Sequence, residues 1–491
     1  MCNSEAWQRR IPIHEDTGPR KGWAGVPWCR VLGPLGRAPL RPGQRGPAVQ
    51  ALQERLRELG YDPGPADGVY GHQTAEAVRE LQRDCRLRVD GIAGPQVLSV
   101  LRDPAVLALR RPLALAPGQS LADAARALQL SPAALRRALG LPPRAQPAPG
   151  QRWVLWERVV AAEVKPGPGQ AAGLRALQRR ASLVSAAAVV AAGGPGDDPA
   201  ALEAAAAATA LGLPVWVTLH TRRAPALLPG SYGPGQVQQL LHGGRERDRW
   251  VQRALDWSRV PGVTGVHLDL GGLRFGDGPR WLRLVRRVAA ALHSASREVI
   301  VSVPLRDRRG FWARAADDVD WEAVAGLVDR VVLVPPVLAE RARPRRPLAP
   351  PELAGRLRAA VRRVPPWRCL LALPVGALIL PGLGEEGASP AVPGTLSAPR
   401  ARSLAYRART RPHWEEAAGR PRFQCVAEGR EREVWLENRE SLARKLDLVE
   451  GLRLGGVYLS AMGEEDAGVW TALRERWKVH KLPSAPGDAT A

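Results

Sequence analysis

The stretch GVTGVHLDLGGLRF, residues 262–275, decides the fold. An apolar run ends on a carboxylate, Asp269, and then meets Gly271 and Gly272, neither of which can carry a proton. A run this continuously apolar reads as a strand buried on both faces, the pattern of a parallel sheet covered by helices. The same pattern recurs on both sides of it, in SLVSAAAVVA (182–191), LPVWVTLHT (213–221), EVIVSVPL (298–305), DRVVLVPP (329–336), CLLALPV (369–375) and GVYLSAM (456–462). Helical stretches such as DPAALEAAAAATALGL (198–213) and GPRWLRLVRRVAAALHSA (278–295) lie between them. Seven readable strands alternating with helices over residues 181–480 predict a (β/α)8 TIM barrel, with a doubly wound sheet as the alternative. Chemistry in a barrel sits at the C-terminal ends of the strands, where Asp269 stands.

Ahead of the barrel the pattern is different. Residues 1–40 are rich in Pro, Gly and Arg and are expected to be loose. In 41–102 three amphipathic helices are separated by Gly-rich turns, with Val49, Leu52, Leu56 and Leu59 at helical spacing and Thr74 as a candidate N-cap. This unit resembles the three-helix peptidoglycan-binding domain of bacterial wall hydrolases. The likeness is carried by Gly46, Val49, Leu52–Gln53, Leu59–Gly60–Tyr61, Asp67–Gly68, Gly71, Thr74, Gln82, Asp90–Gly91 and Gly94–Pro95. It implies a glycan ligand, with Tyr61, Asp67, Gly68, Asp90 and Gly91 as candidate binding residues.

Residues 112–156 read as strand, helix, Ser131-capped helix and strand. They resemble a LysM module, a βααβ fold that binds N-acetylglucosamine-containing glycans, through Gly118, Leu121, Ala125, Ser131, Leu135 and Pro149–Gly150–Gln151. Leu139 replaces the usual asparagine. Residues 157–180, centred on EVKPGPGQ, are expected to be a linker, and 481–491 a tail. The fold class is therefore multidomain: a small three-helix domain, a βααβ module and a TIM barrel.

The barrel segments look like a family 18 glycoside hydrolase, of the branch found in spore-germination and cortex-lytic proteins. GVHLDLGGL, DRVVLVPP, CLLALPVG and EVWLENRESLARKLDLVEGLRLGGVYLSAMGEED carry the likeness, the last through Val434–Trp435, Glu437, Ser441, Lys445, Leu452, Gly456 and Gly463. The resemblance implies substrate-assisted hydrolysis, in which a glutamate ending DxxDxDxE protonates the glycosidic oxygen. Thr264, Gly265, His267, Asp269 and Gly271 occupy the D, G, D, D and E positions. Asp269 survives and the acid is glycine. Pro335, Gly376–Leu378 and Ser460 stand where the family carries aromatic residues. General acid catalysis is worth about 10²–10⁴-fold in rate. These losses predict a barrel without catalysis, in which Asp269 is a buried, hydrogen-bonded carboxylate. The alternative is an active glycosidase with a substitute acid, for which Asp277, Glu437 and His220 are the candidates. Trp216, Trp312, Trp153 and Trp156 are candidates for stacking on sugar rings, with packing as the competing role, and Glu437, with Trp216, is a candidate substrate-binding residue in the barrel.

Composition narrows the partners. The net charge is +23, dominated by arginine. Basic chains seek polyanions, but these arginines are dispersed, which argues against nucleic acid. Five cysteines without CxxC spacing and eight histidines without HExxH predict no metal, and no cofactor is expected. No apolar run approaches the roughly 20 residues of a membrane span. The first residues lack the apolar centre of a secretory signal, so either the protein stays in the cell that makes it or its true start lies elsewhere. The expected partner is peptidoglycan or another N-acetylglucosamine-containing glycan, and the expected place is spore cortex, coat or cell wall.

Overall fold

The computed structural model describes residues 38–483 except 86, 104–105, 107–108, 116–118, 129, 140, 142–151, 166–169, 221–239, 270–275, 306–318, 337–345, 382–393 and 428. Gly271, Gly118, Trp312 and Pro149–Gly150–Gln151 lie outside the described residues, as do 1–37 and 484–491. The chain divides into two units, residues 1–158 with 475–480, and 159–474 with 481–491.

The first unit opens with three helices, Pro47–Glu58, His72–Asp84 and Pro95–Arg102. Their apolar faces meet through Val49, Leu52, Leu56, Val78, Leu81 and Leu101, all buried. The loops between them are built twice on one plan. Gln53 donates from Nε2 to Asp67 Oδ1 at 3.0 Å and accepts the Gly68 N–H at 2.9 Å. Gln82 donates to Asp90 Oδ1 at 2.8 Å and accepts the Gly91 N–H at 2.9 Å. Gly68 and Gly91 have φ of +73° and +71°, the left-handed region where a Cβ is penalised.

Beyond them, β1 (Arg110–Ala114) pairs antiparallel with β2 (Arg152–Trp156), with helices Leu121–Ala127 and Pro132–Ala138 between. Ser120 and Asp123 form a capping box, and the Ser131 hydroxyl accepts from Ala134 N–H, as its sequence position predicts. Leu115, Leu121, Ala125, Leu135 and Leu155 close a small core.

The second unit is a closed barrel of parallel strands. In spatial order they are β15 (Gly456–Ser460), β3 (Val159–Val164), β4 (Ala186–Ala191), β5 (Val215–His220), β6 (Val263–Asp269), β7 (Glu298–Pro304), β8 (Arg330–Val334) and β9 (Cys369–Pro374). The barrel begins at Val159, inside the stretch expected to be a linker. VVAAEV is its first strand, and every residue of it is buried. Helix Gln170–Arg180, also inside that stretch, follows it. Between β9 and β15 the chain makes an antiparallel sheet, order β11-β10-β14-β13-β12, from β10 (Ala377–Pro381), β11 (Gly394–Leu396), β12 (His413–Glu415), β13 (Arg420–Ala427) and β14 (Arg430–Trp435). No helix among the described residues is long and apolar enough to cross a membrane.

Candidate functional site

Side chains two apart on a strand share a face, so His267 and Asp269 lie on the same side of β6. Thr218 on β5 is in register with His267, and His220 with Asp269. A chain of polar contacts crosses the barrel from here. Thr218 Oγ1 lies 3.1 Å from His267 Nδ1, and His267 Nε2 lies 2.9 Å from Ser302 Oγ on β7. Thr218 Oγ1 also lies 3.4 Å from the Tyr458 hydroxyl, which donates to Glu163 Oε2 at 2.9 Å. The Tyr458 and His267 rings meet at 5.1 Å with a 60° tilt. Glu163, His267, Asp269 and Tyr458 are all buried. Burial, and after it the charges of Glu163 and then Asp269, push the Tyr458 hydroxyl well above its ordinary pKa, so it stays a donor.

Two carboxylates therefore act on Tyr458: Asp269, which the sequence singled out, and Glu163, which it did not. Glu163 stands at the end of β3, 3.7 Å from Lys165 Nζ. A (β/α)8 barrel has eight strands and seven are readable; the run VVAAEV ahead of the first is the signal that could have found the eighth. Glu464, just beyond β15, is a third carboxyl in the neighbourhood. Burial raises its pKa, Lys165 opposes the rise, and the charges of Glu163 and Glu465 add to it.

The other candidates fall elsewhere. Trp216 is not at the mouth. It is the second residue of β5, fully buried, with Nε1 donating to Glu298 at 3.0 Å. Glu298 begins β7, so this pair marks the opposite end of the barrel, and Trp216 is a packing residue. Trp156 is also buried, at the end of β2. Ser460 is buried and its hydroxyl donates to Leu373 O at 3.4 Å. Asp277 is buried at the start of helix Gly278–Ser294.

Glu437, a candidate substitute acid, is held in an ion-pair cluster. It follows β14 and accepts from Arg420 Nη2 at 2.9 Å, from Ser441 Oγ at 2.6 Å, and from Lys445 Nζ. Burial alone would raise its pKa, but Lys445 and Arg420 outweigh it and hold the carboxyl below the usual range. It is the shared carboxylate of a buried ion-pair cluster. Burial, helped by Arg420, pushes Lys445 down to about 8.

In the first unit Tyr61 is buried rather than presented to a sugar. Its hydroxyl donates to Asp84 at 3.0 Å, and the Arg110 guanidinium sits 4.4 Å from its ring centroid. Gly68 and Gly91 are buried in their turns, whereas Asp67 and Asp90 are exposed at the loop surface. One oxygen of each aspartate is engaged by the glutamine that holds its loop.

Residues 45–101 match the family described as "Putative peptidoglycan binding domain". Among curated proteins the chain is 45% identical over 56 residues to the N-acetylmuramoyl-L-alanine amidase CwlM of Mycobacterium tuberculosis, and 43% identical over 58 residues to the N-acetylmuramoyl-L-alanine amidase CwlL of Bacillus licheniformis. Each alignment spans 11% of this chain, and 14% and 16% of those two proteins. Among solved structures, the spore cortex-lytic enzyme SleL of Bacillus megaterium aligns over 83% of this chain and 97% of its own, at 17% identity and a TM-score of 0.54. SleL of Bacillus cereus aligns over 75% and 87%, at 18% and 0.55. A chitinase from Chromobacterium violaceum aligns over 65% and 98%, at 22% and 0.53. At these identities the likeness is one of fold: the barrel shares its architecture with these enzymes, and the stretch that matches the peptidoglycan-binding family precedes it in the chain.

Proposed function

We propose that the chain is a cell-wall protein that binds peptidoglycan and carries a family 18-like barrel that no longer hydrolyses it. The peptidoglycan-binding match over residues 45–101 carries the binding half of this reading. The loss of catalysis rests on Gly271 at the acid position and on the internal engagement of His267, Ser302, Thr218 and Tyr458, which leaves them bonded to one another rather than offered to a ligand. The domain division that fits is peptidoglycan-binding at 41–102, LysM-like at 112–156, and barrel from Val159. The βααβ order of the second segment supports a second glycan-binding module, and two weak modules on one chain gain avidity through effective concentration. The SleL-like fold favours spore cortex or cell wall as the place.

One observation favours a second reading, an active glycosidase on N-acetylglucosamine-containing glycans. Glu464 keeps its proton more readily than an ordinary carboxyl, as a general acid must, and its neighbour Glu163 is held by Tyr458 and Lys165. Reducing-end release from purified spore cortex separates the two. The first reading predicts none from the wild type and a gain on Gly271→Glu. Release by the wild type that Glu464→Gln abolishes establishes the second.

A further inference from the structure

A pocket in the second unit lies between the ends of β8 and β9 and the inserted sheet. Pro335, Pro374, Leu348 and Leu373 form its walls, and Arg420 and Lys445 line it as well. We propose that this pocket binds a small carboxylate with a short apolar body, the class of acetate and propionate.

Three observations carry the proposal. Arg420, Lys445 and Glu437 are all buried, so two cations share one carboxylate and the cluster is left one negative charge short. Arg420 spends only Nη2 on Glu437; its Nε and Nη1 are buried and meet no acceptor among the described residues. A guanidinium donor without a partner in a buried site is costly, and an ionised carboxylate oxygen is a strong acceptor for it. The remaining walls are proline and leucine, which suit methyl and methylene groups. Inorganic phosphate, polar on every side, would press its oxygens against those walls. Pro335 and Pro374 are only partly buried, which gives the pocket a rim open to a ligand. None of these residues belongs to the Glu163–Tyr458–His267 chain.

The test uses the full chain at constant ionic strength, with sodium chloride replaced stepwise by sodium propionate, acetate or phosphate. Barrel unfolding is followed by tryptophan fluorescence, and binding by line broadening of ¹³C-labelled propionate. The expected result is a saturable rise in the melting midpoint with propionate and acetate, and broadening that unlabelled propionate reverses. Pro335→Phe, which obstructs the rim without touching the ion cluster, and Lys445→Met each abolish both signals. An equal rise in wild type and both variants marks a general salt effect and overturns the proposal. So does the absence of any saturable response, and a response to phosphate matching that to propionate overturns the carboxylate assignment.

Discussion

Tyr458 on the last barrel strand donates its hydroxyl hydrogen to Glu163 on the first, across 295 residues of chain, at 2.9 Å. The contact joins the two ends of the barrel sequence where the cylinder closes. Tyr458→Phe leaves a buried carboxylate oxygen without its donor, which costs about 1–3 kcal/mol. Urea unfolding followed by tryptophan fluorescence should show the barrel transition at lower denaturant in the variant. An unchanged midpoint would mean that the closure does not depend on this bond.

Closure also needs a residue without a side chain beside β15. A Cβ on Gly455 would lie 2.1 Å from the Trp367 carbonyl oxygen, a backbone atom that cannot swing away. Gly455→Ala should destabilise the barrel by at least the 1–3 kcal/mol or so typical of overpacking. The thermal midpoint checks it, with Gly451→Ala, where no atom lies within reach of the added Cβ, as the control expected to stay near wild type.

The paired loops of the first unit separate structure from binding. Gln53→Ala removes the side chain that holds Asp67 and Gly68, and Gln82→Ala does the same for Asp90 and Gly91. Each should cost about 1–3 kcal/mol, because buried loop groups lose their partners. Asp67→Asn keeps an acceptor in the loop and changes only the charge, so it should leave the melting midpoint near wild type. If Asp67 also meets glycan, that variant weakens co-sedimentation with peptidoglycan while remaining folded. Equal binding by the folded variant assigns Asp67 to the loop alone.

The Glu437 cluster predicts a pH dependence of stability. With its folded-state pKa held below the unfolded value of about 4.3, this carboxylate stabilises the fold fully above that pH and loses the contribution as the pH falls through the lower folded value. Glu437→Gln should melt below wild type at pH 6, and the gap between the two should narrow steadily toward pH 3. A gap that stays constant across that range contradicts the ion-pair assignment.

Much of this architecture is visible in residue order, and the misses share physical causes. Seven barrel strands are readable because each is a continuous apolar run set off from the helices beside it. β3 reads as linker because a glutamate interrupts VVAAEV and the run passes straight into KPGPG. That same glutamate is Glu163, so losing the strand concealed the second carboxylate near Tyr458. The inserted sheet was unreadable for a related reason: REREVW carries charges on strands only partly covered. Trp216 illustrates a different limit. Its strand is readable, but the end of the barrel to which it belongs follows from its place as second residue of β5, where it bonds to Glu298 at the start of β7. Tyr61, matched as a loop residue, is taken up by Asp84 and Arg110, both distant in sequence.

The most direct measurement incubates the full chain with purified insoluble peptidoglycan from spore cortex and scores, in one tube, protein in the pellet and reducing ends in the supernatant. The account predicts pelleting with no reducing ends above the protein-free control. Protein that stays in the supernatant, or soluble fragments released in proportion to enzyme and time, would contradict it.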